Sequence, residues 1–125
     1  MATVRTFRDL IAWQRGMELA RLVYEATQRM PEAERFGLID QMRRAAVSIP
    51  STIAEGHARQ SRPDYLKFLR IARGSLAELA TQVELAMSLH MMPPNPALQA
   101  MLEEEDRILQ GLIRSLENKP KPATG

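Results

Sequence analysis

The sequence predicts an all-α fold, an up-down-up-down antiparallel four-helix bundle, on three observations. Apolar residues recur at spacings of three and four from residue 7 to residue 117, with no sustained alternation of period two. Stop and start signals interrupt that pattern at Pro31, at Ser61-Arg62-Pro63-Asp64 and at Pro93-Pro94-Asn95-Pro96. The segments between them are long enough for helices of ~20 to 30 residues, which short connections fold back on one another. Residues 1–6 then read as an N-terminal extension, 7–117 as the bundle, and 118–125, with Lys119, Pro120, Lys121 and Pro122, as a disordered tail that cannot pack.

Helix one is expected from about Phe7 to Met30, with Thr6 as cap and Asp9 at the third helical position. Its leading apolar row is Leu10, Trp13, Met17, Ala20, Tyr24, Thr27, and a second row, Ala12, Leu19, Val23, Ala26, lies beside it. Two rows cover about half the helix circumference, more than the interior of one small bundle requires. The surplus predicts a second contact surface and hence a homo-oligomer. Pro31, Glu32 and Glu34 suit the first turn of helix two, whose row is Leu38, Met42, Ala45, Ile49, Ile53. Pro50 inside it predicts a kink or break between Ser48 and Thr52. Ser61 caps helix three, expected over about Arg62 to Met91 with the row Tyr65, Leu69, Ala72, Leu76, Leu79, Val83, Ala86, His90. Asn95 as cap and Pro96 at the first helical position open helix four, which carries Leu98, Met101, Leu102, Ile108, Leu109, Leu112, Ile113 and Leu116.

Composition bounds the chemistry. The chain has 125 residues, 45% hydrophobic and 26% charged, an ordinary globular balance that excludes disorder throughout and a collagen-like chain. Aromatics are only 5%, so the core is aliphatic, and the absence of cysteine removes disulfides, thiolate nucleophiles and sulfur-ligated zinc. No apolar run approaches the ~20 residues of a membrane span, and Arg5, Arg8 and Asp9 around Phe7 leave no signal-peptide core. A cytoplasmic protein is expected. His57 and His90 lie far apart, and neither has a second ligand three or four positions away, so no metal and no cofactor are expected. With no phosphate loop and no nucleophile elbow either, the chain reads as a non-enzyme.

Charge is where the sequence departs from an inert bundle. Residues 41–75 carry seven basic side chains (Arg43, Arg44, Arg59, Arg62, Lys67, Arg70, Arg73) against Glu55 and Asp64, a local excess of five in a chain of net charge +2. Lys67, Arg70 and Arg73 are three apart and form a stripe along helix three. Such a stripe either tracks phosphates, together with Arg59 and Arg62, or pairs with the acidic fourth segment that contains Glu103, Glu104, Glu105 and Asp106. Arg43, Arg44, Glu55 and Glu78 fall within or beside apolar rows and are expected to include buried or semi-buried charges held in pairs. The small Gly56 is read as a packing or kink position rather than a ligand contact.

Phe36-Gly37-Leu38, the run Gln41 to Pro50, Ile53-Ala54-Glu55-Gly56, Phe68-Leu69, Ala72-Arg73-Gly74-Ser75, Glu78-Leu79 and Gln82 carry a likeness, as does the opening Phe7-Arg8-Asp9-Leu10 with Ala12-Trp13-Gln14. Over roughly residues 7 to 92 the chain resembles the bacterial four-helix-bundle family of ribosomal-RNA intervening-sequence proteins. Met42, Thr52 and His90-Met91-Met92 depart from the usual family pattern. The resemblance implies assembly into a ring, typically a homopentamer, with no known catalytic activity. It also implies kinship with the accessory variability determinants of diversity-generating retroelements, which bind a reverse transcriptase and nucleic acid.

Two functions therefore stand side by side. One is an oligomeric nucleic-acid-binding accessory protein, serving RNA or DNA and a reverse transcriptase of a retroelement. The other is a structural oligomer whose arginines form only salt bridges.

Overall fold

A computed structural model of the chain describes residues 3–118, so the expected tail from Lys119 onward lies outside the described residues. Within them the chain is all-helical and without strands. Four α-helices follow one another: α1 (Ile11–Thr27), α2 (Leu38–Ala58), α3 (Arg62–Ser88) and α4 (Pro96–Glu117), with single 3-10 turns at Phe7–Asp9 and Glu32–Glu34. Helix α2 packs on α1 and α3, and α4 packs on α3 and α1, so the four enclose one interior. No described helix is long and apolar enough to cross a membrane.

The capping signals hold, but two elements start later than the periodicity suggests. Thr6 and Asp9 do form a reciprocal capping box: the Arg8 amide donates to Thr6 Oγ1 at 3.1 Å and the Thr6 amide to Asp9 Oδ2 at 3.3 Å. That box closes only a 3-10 turn. Leu10 is extended (φ −77°, ψ 127°), and α1 begins at Ile11. Phe7 packs edge-on against Trp13 with ring centroids 5.4 Å apart, which lays the turn over α1. Likewise Glu32 and Glu34 belong to a separate turn, and Glu34 reaches forward so that the Leu38 amide donates to its Oε1 at 3.1 Å. The acid satisfies one of the first free amides of α2.

Pro50 breaks nothing. Helix α2 runs unbroken from Leu38 to Ala58 with Pro50 buried inside it. A proline there removes one helical hydrogen bond, the one that would reach the Ala46 carbonyl. Against that single loss, Met42, Ala45, Ile49 and Ile53 from both halves are buried in the same interior. Ser61 accepts from the Asp64 amide and Asn95 from the Leu98 amide, as the caps of α3 and α4 require. Helix α3 ends at Ser88, before the expected Met91. His90 adopts φ 59°, its amide donates to Met87 O and the Met91 amide to Ala86 O. This is a Schellman stop, and it leaves His90 exposed as a cap residue rather than as part of the core row.

In α1 the two apolar rows exchange roles. The buried residues are Ala12, Leu19 and Val23 of the second row, Thr27 from the end of the leading row, and Gly16, which belongs to neither. Met17 and Tyr24 of the leading row stay 48% and 42% exposed. The physical reason is the pair of small residues Ala12 and Gly16, which admit the backbones and side chains of α2 and α4 more closely than Trp13 and Met17 could.

Candidate functional site

Three places carry side chains beyond what the core needs. The first is the outer face of α1 and α2. Trp13, Met17, Ala20 and Tyr24 from α1 and Val47, Pro50 and Ala54 from α2 line a mostly apolar hollow of about 560 Å³. Val47 is 42% exposed beside Met17 and Tyr24. At its end Arg43 lies over the Tyr24 ring, 4.5 Å from the centroid, and donates from Nε to Thr27 Oγ1 at 2.8 Å. Thr27, almost wholly buried, passes that bond on by donating to Val23 O at 2.7 Å.

The second is the α2–α3 corner. A Cβ on Gly56 would lie 2.5 Å from Phe68 Cβ, so only glycine lets α3 approach here, and packing is its role. The closeness gathers aromatics: His57 meets Tyr65 edge-on at 5.6 Å, and Arg59 lies 5.0 Å over the Phe68 ring. Burial without a hydrogen-bond partner pushes the Tyr65 phenol up to about 12. Arg59 also pairs with Glu55 at 3.3 Å, Arg62 stands at the first turn of α3, and Lys67 projects from α3 without a partner among the described residues.

The third is a groove of about 830 Å³ between α3 and α4, floored by Leu76, Leu102 and Ile113. Here the expected phosphate stripe divides. Arg73 Nε donates to Asp106 Oδ1 at 2.9 Å, and Arg70 pairs with Glu117. The Arg73 hydrogen bond holds the Asp106 carboxyl below its ordinary range, with Gln110 as a second donor. Arg70 and Arg73 of α3 and Arg114 of α4 line the groove together with Glu103, Asp106 and Glu117 of α4, three against three, so it carries no net charge. Of the five residues expected to meet nucleic acid, Arg59, Arg62 and Lys67 share the corner, while Arg70 and Arg73 are tied to α4.

The expectation that Arg43, Arg44, Glu55 and Glu78 include buried or semi-buried charges held in pairs holds for the burial of Arg43 alone, whose hydrogen bond goes to the Thr27 hydroxyl rather than to a charge. Arg44 is 79% exposed and paired with Asp40, while Glu55 and Glu78 are exposed too. Only Arg43 turns partly inward. Their rows border the core, and long charged side chains leave it by extending outward.

Among the described residues the buried charge-bearing one is Glu105 on α4, with no exposed surface. Neither carboxyl oxygen has a hydrogen-bond partner among the described residues. Desolvation, with Glu104 nearby, pushes its carboxyl up to about 8, and Arg15 only partly offsets this. The signal was present in the sequence: Leu98, Leu102, Glu105, Leu109 and Ile113 form one core register, and Glu105 interrupts four aliphatics. Among the described residues no three His, Asp or Glu side chains come together as a metal site.

No curated protein matches the chain. Among solved structures it is similar to a protein of unknown function from the S23 ribosomal protein family of Bacteroides thetaiotaomicron, at 20% identity and a TM-score of 0.73, covering 83% of this chain and 96% of that one. At that identity the likeness speaks for the fold alone. Residues 8–113 match the family described as 23S rRNA-intervening sequence protein, and the sequence motifs from Phe36 to Gln82 fall inside that span. On a match over most of its length, the chain belongs to the 23S rRNA-intervening sequence protein family.

Proposed function

We propose that this protein is a non-enzymatic, self-assembling subunit whose α1–α2 face joins copies of the chain into a closed homo-oligomer. The observation that carries this reading is the exposed strip of Met17, Tyr24 and Val47, with half-buried Trp13 beside it, around an apolar hollow. A soluble chain keeps such a strip where a partner covers it. An up-down-up-down order belongs to the same reading. Ser48 meets Ser75 and Gly56 abuts Phe68, while Arg70 pairs with Glu117 and Arg73 with Asp106, so contacts run in opposite chain directions across α2–α3 and α3–α4. A ring of about five copies is the form that the family resemblance implies, in the cytoplasm. Light scattering at micromolar concentration tests the reading: a multiple of the 14.1 kDa chain mass supports it, and a monomer overturns it. Met17→Glu with Val47→Glu should yield folded monomers.

A second reading adds nucleic-acid binding, and the α2–α3 corner favours it. Lys67 has no partner among the described residues, Arg59 and Arg62 stand at the α2–α3 connection, and His57, Tyr65 and Phe68 supply aromatic surface among the cations. The family's name links it to the intervening sequences of 23S rRNA, which makes structured RNA the natural ligand to test. Service to a reverse transcriptase is a narrower form of this reading and rests on the resemblance alone. In a ring the corner would recur around the circumference and multiply a weak contact by avidity. Affinity should then fall with salt by roughly 0.7 to 0.9 log units per phosphate neutralised. Arg59→Glu with Lys67→Glu should abolish binding without changing the oligomer. No wild-type binding at ~50 mM salt would leave the structural subunit as the function.

A further inference from the structure

Glu105 lies directly behind the proposed assembly face. A Cβ on Gly16 would stand 3.0 Å from Glu105 Oε2, 3.4 Å from Pro50 Cβ and 3.5 Å from Ile49 Cγ2. Pro50 also lines the apolar hollow on the outer side, between Trp13 and Met17 of α1 and Val47 and Ala54 of α2. Gly16, beside the carboxyl, and Pro50, which lines the hollow, therefore form a layer that links the unpartnered carboxyl to the surface that a second copy would cover.

The charged groups acting on Glu105 are few. From α1 comes Arg15, whose guanidinium is already held between Glu18 at 3.0 Å and Glu104 at 2.9 Å. From its own helix comes Glu104, which opposes ionisation. Helix α2 brings Ile49 and Pro50 to the same Gly16 notch, and no charged side chain of α2 or α3 acts on Glu105. An ionised carboxylate in this place has no cation free to receive it and no hydrogen-bond donor among the described residues. To ionise, it must admit water between α1 and α4 or swing toward Arg15, and either movement shifts the Gly16–Pro50 layer.

We propose that Glu105 is the neutral acid in the assembled protein, and that loss of its proton to solvent deforms the Gly16–Pro50 layer and weakens self-association. The inference rests on the α1–α2 face being the interface. Its physical basis is linkage: if the loosened subunit ionises more readily than the assembled one, each subunit that leaves releases up to one proton.

The test is the oligomer dissociation constant of the full chain from pH 6 to pH 9.5, by sedimentation or light scattering, for wild type and Glu105→Gln. Above about pH 8 the wild-type constant should rise by up to about tenfold per pH unit for each subunit released, while Glu105→Gln stays flat. Glu105→Leu, which fills the site without a proton to lose, should behave as the amide does and guards against an amide that folds poorly. Infrared spectroscopy of the wild type should show a protonated carboxyl band at pH 6 that fades by pH 9.5 and is missing in both variants. A stable oligomer with a pH-independent constant overturns this inference and leaves the α1–α2 interface standing. A variant that keeps the wild-type slope overturns it too. A monomer at every pH overturns both.

Discussion

Glu105 of α4 occupies the notch that Gly16 leaves in α1, its Oε2 3.0 Å from where a Cβ at residue 16 would stand. The two residues explain each other: a larger side chain at 16 would displace the carboxyl, and a carboxyl at 105 needs a gap to lie in.

The first prediction concerns stability against pH. Glu105 titrates near 4.5 when exposed and is raised to about 8 in the folded chain. Between those values the unfolded chain has lost the proton that the folded chain keeps, so stability falls as pH rises, by about 1.4 kcal/mol per unit. The contribution is fully present below about pH 4.5 and gone above about pH 8. Asp106 acts oppositely. Its lowered pKa gives stability present above 3.8 and lost as pH falls further. Urea midpoints should therefore peak near pH 4 to 5 and decline towards pH 8, by about 4 kcal/mol at the upper bound. Glu105→Gln should flatten the decline, and a flat wild-type profile would refute the assignment.

A second prediction sets two glycines against each other. Gly56→Ala forces a Cβ to within 2.5 Å of Phe68 Cβ, so α2 and α3 must separate, at a cost of about 2 to 3 kcal/mol. Gly74→Ala meets nothing within 4 Å and gains helix propensity, about 0.5 to 1 kcal/mol of stabilisation. Chemical denaturation of the two variants decides it: equal effects would mean that the α2–α3 contact is not as close as described.

Thr27 supplies a third. Its hydroxyl bridges Arg43 Nε and Val23 O in a site with almost no exposed surface. Thr27→Val keeps the shape, removes the bridge and leaves the half-buried guanidinium one acceptor short, a loss of about 1 to 2 kcal/mol. If Arg43→Met is made as well, the two losses should not add, because they remove one interaction. Additive losses in the double-mutant cycle would show that the bridge contributes nothing.

What could be read from the sequence follows the range of the interactions. Ser61 and Asn95 were legible as caps because a cap is decided within four residues, and the row Leu69 to Ala86 because burial on α3 repeats over many turns. The inner face of α1 was not. Both its rows are apolar, and the choice turns on Ala12 and Gly16 admitting other helices, which depends on what those helices bring. Glu105 reads as surface because it stands in a run of four acidic residues, although its register with Leu102 and Leu109 says otherwise. The partners of Arg70 and Arg73 depend on how α3 and α4 lie against each other, and no local pattern encodes that.

The last prediction follows from those two pairs. Arg73 and Asp106 are 47% and 38% exposed, so the pair contributes at most about 1 kcal/mol. Arg73→Glu replaces attraction by repulsion against a carboxylate that Gln110 also holds in place, and should lower stability by about 1 kcal/mol, acting on the seam between α3 and α4. Asp106→Arg in the same chain restores opposite charges across the seam and should recover most of the loss. Arg73 is already neutralised within the groove, so Arg73→Glu should weaken any RNA affinity far less than Lys67→Glu does, measured by anisotropy at one fixed salt concentration. A larger loss at Arg73 than at Lys67, with no recovery of stability in the swap, would place the nucleic-acid surface on the α3–α4 groove and remove it from the α2–α3 corner.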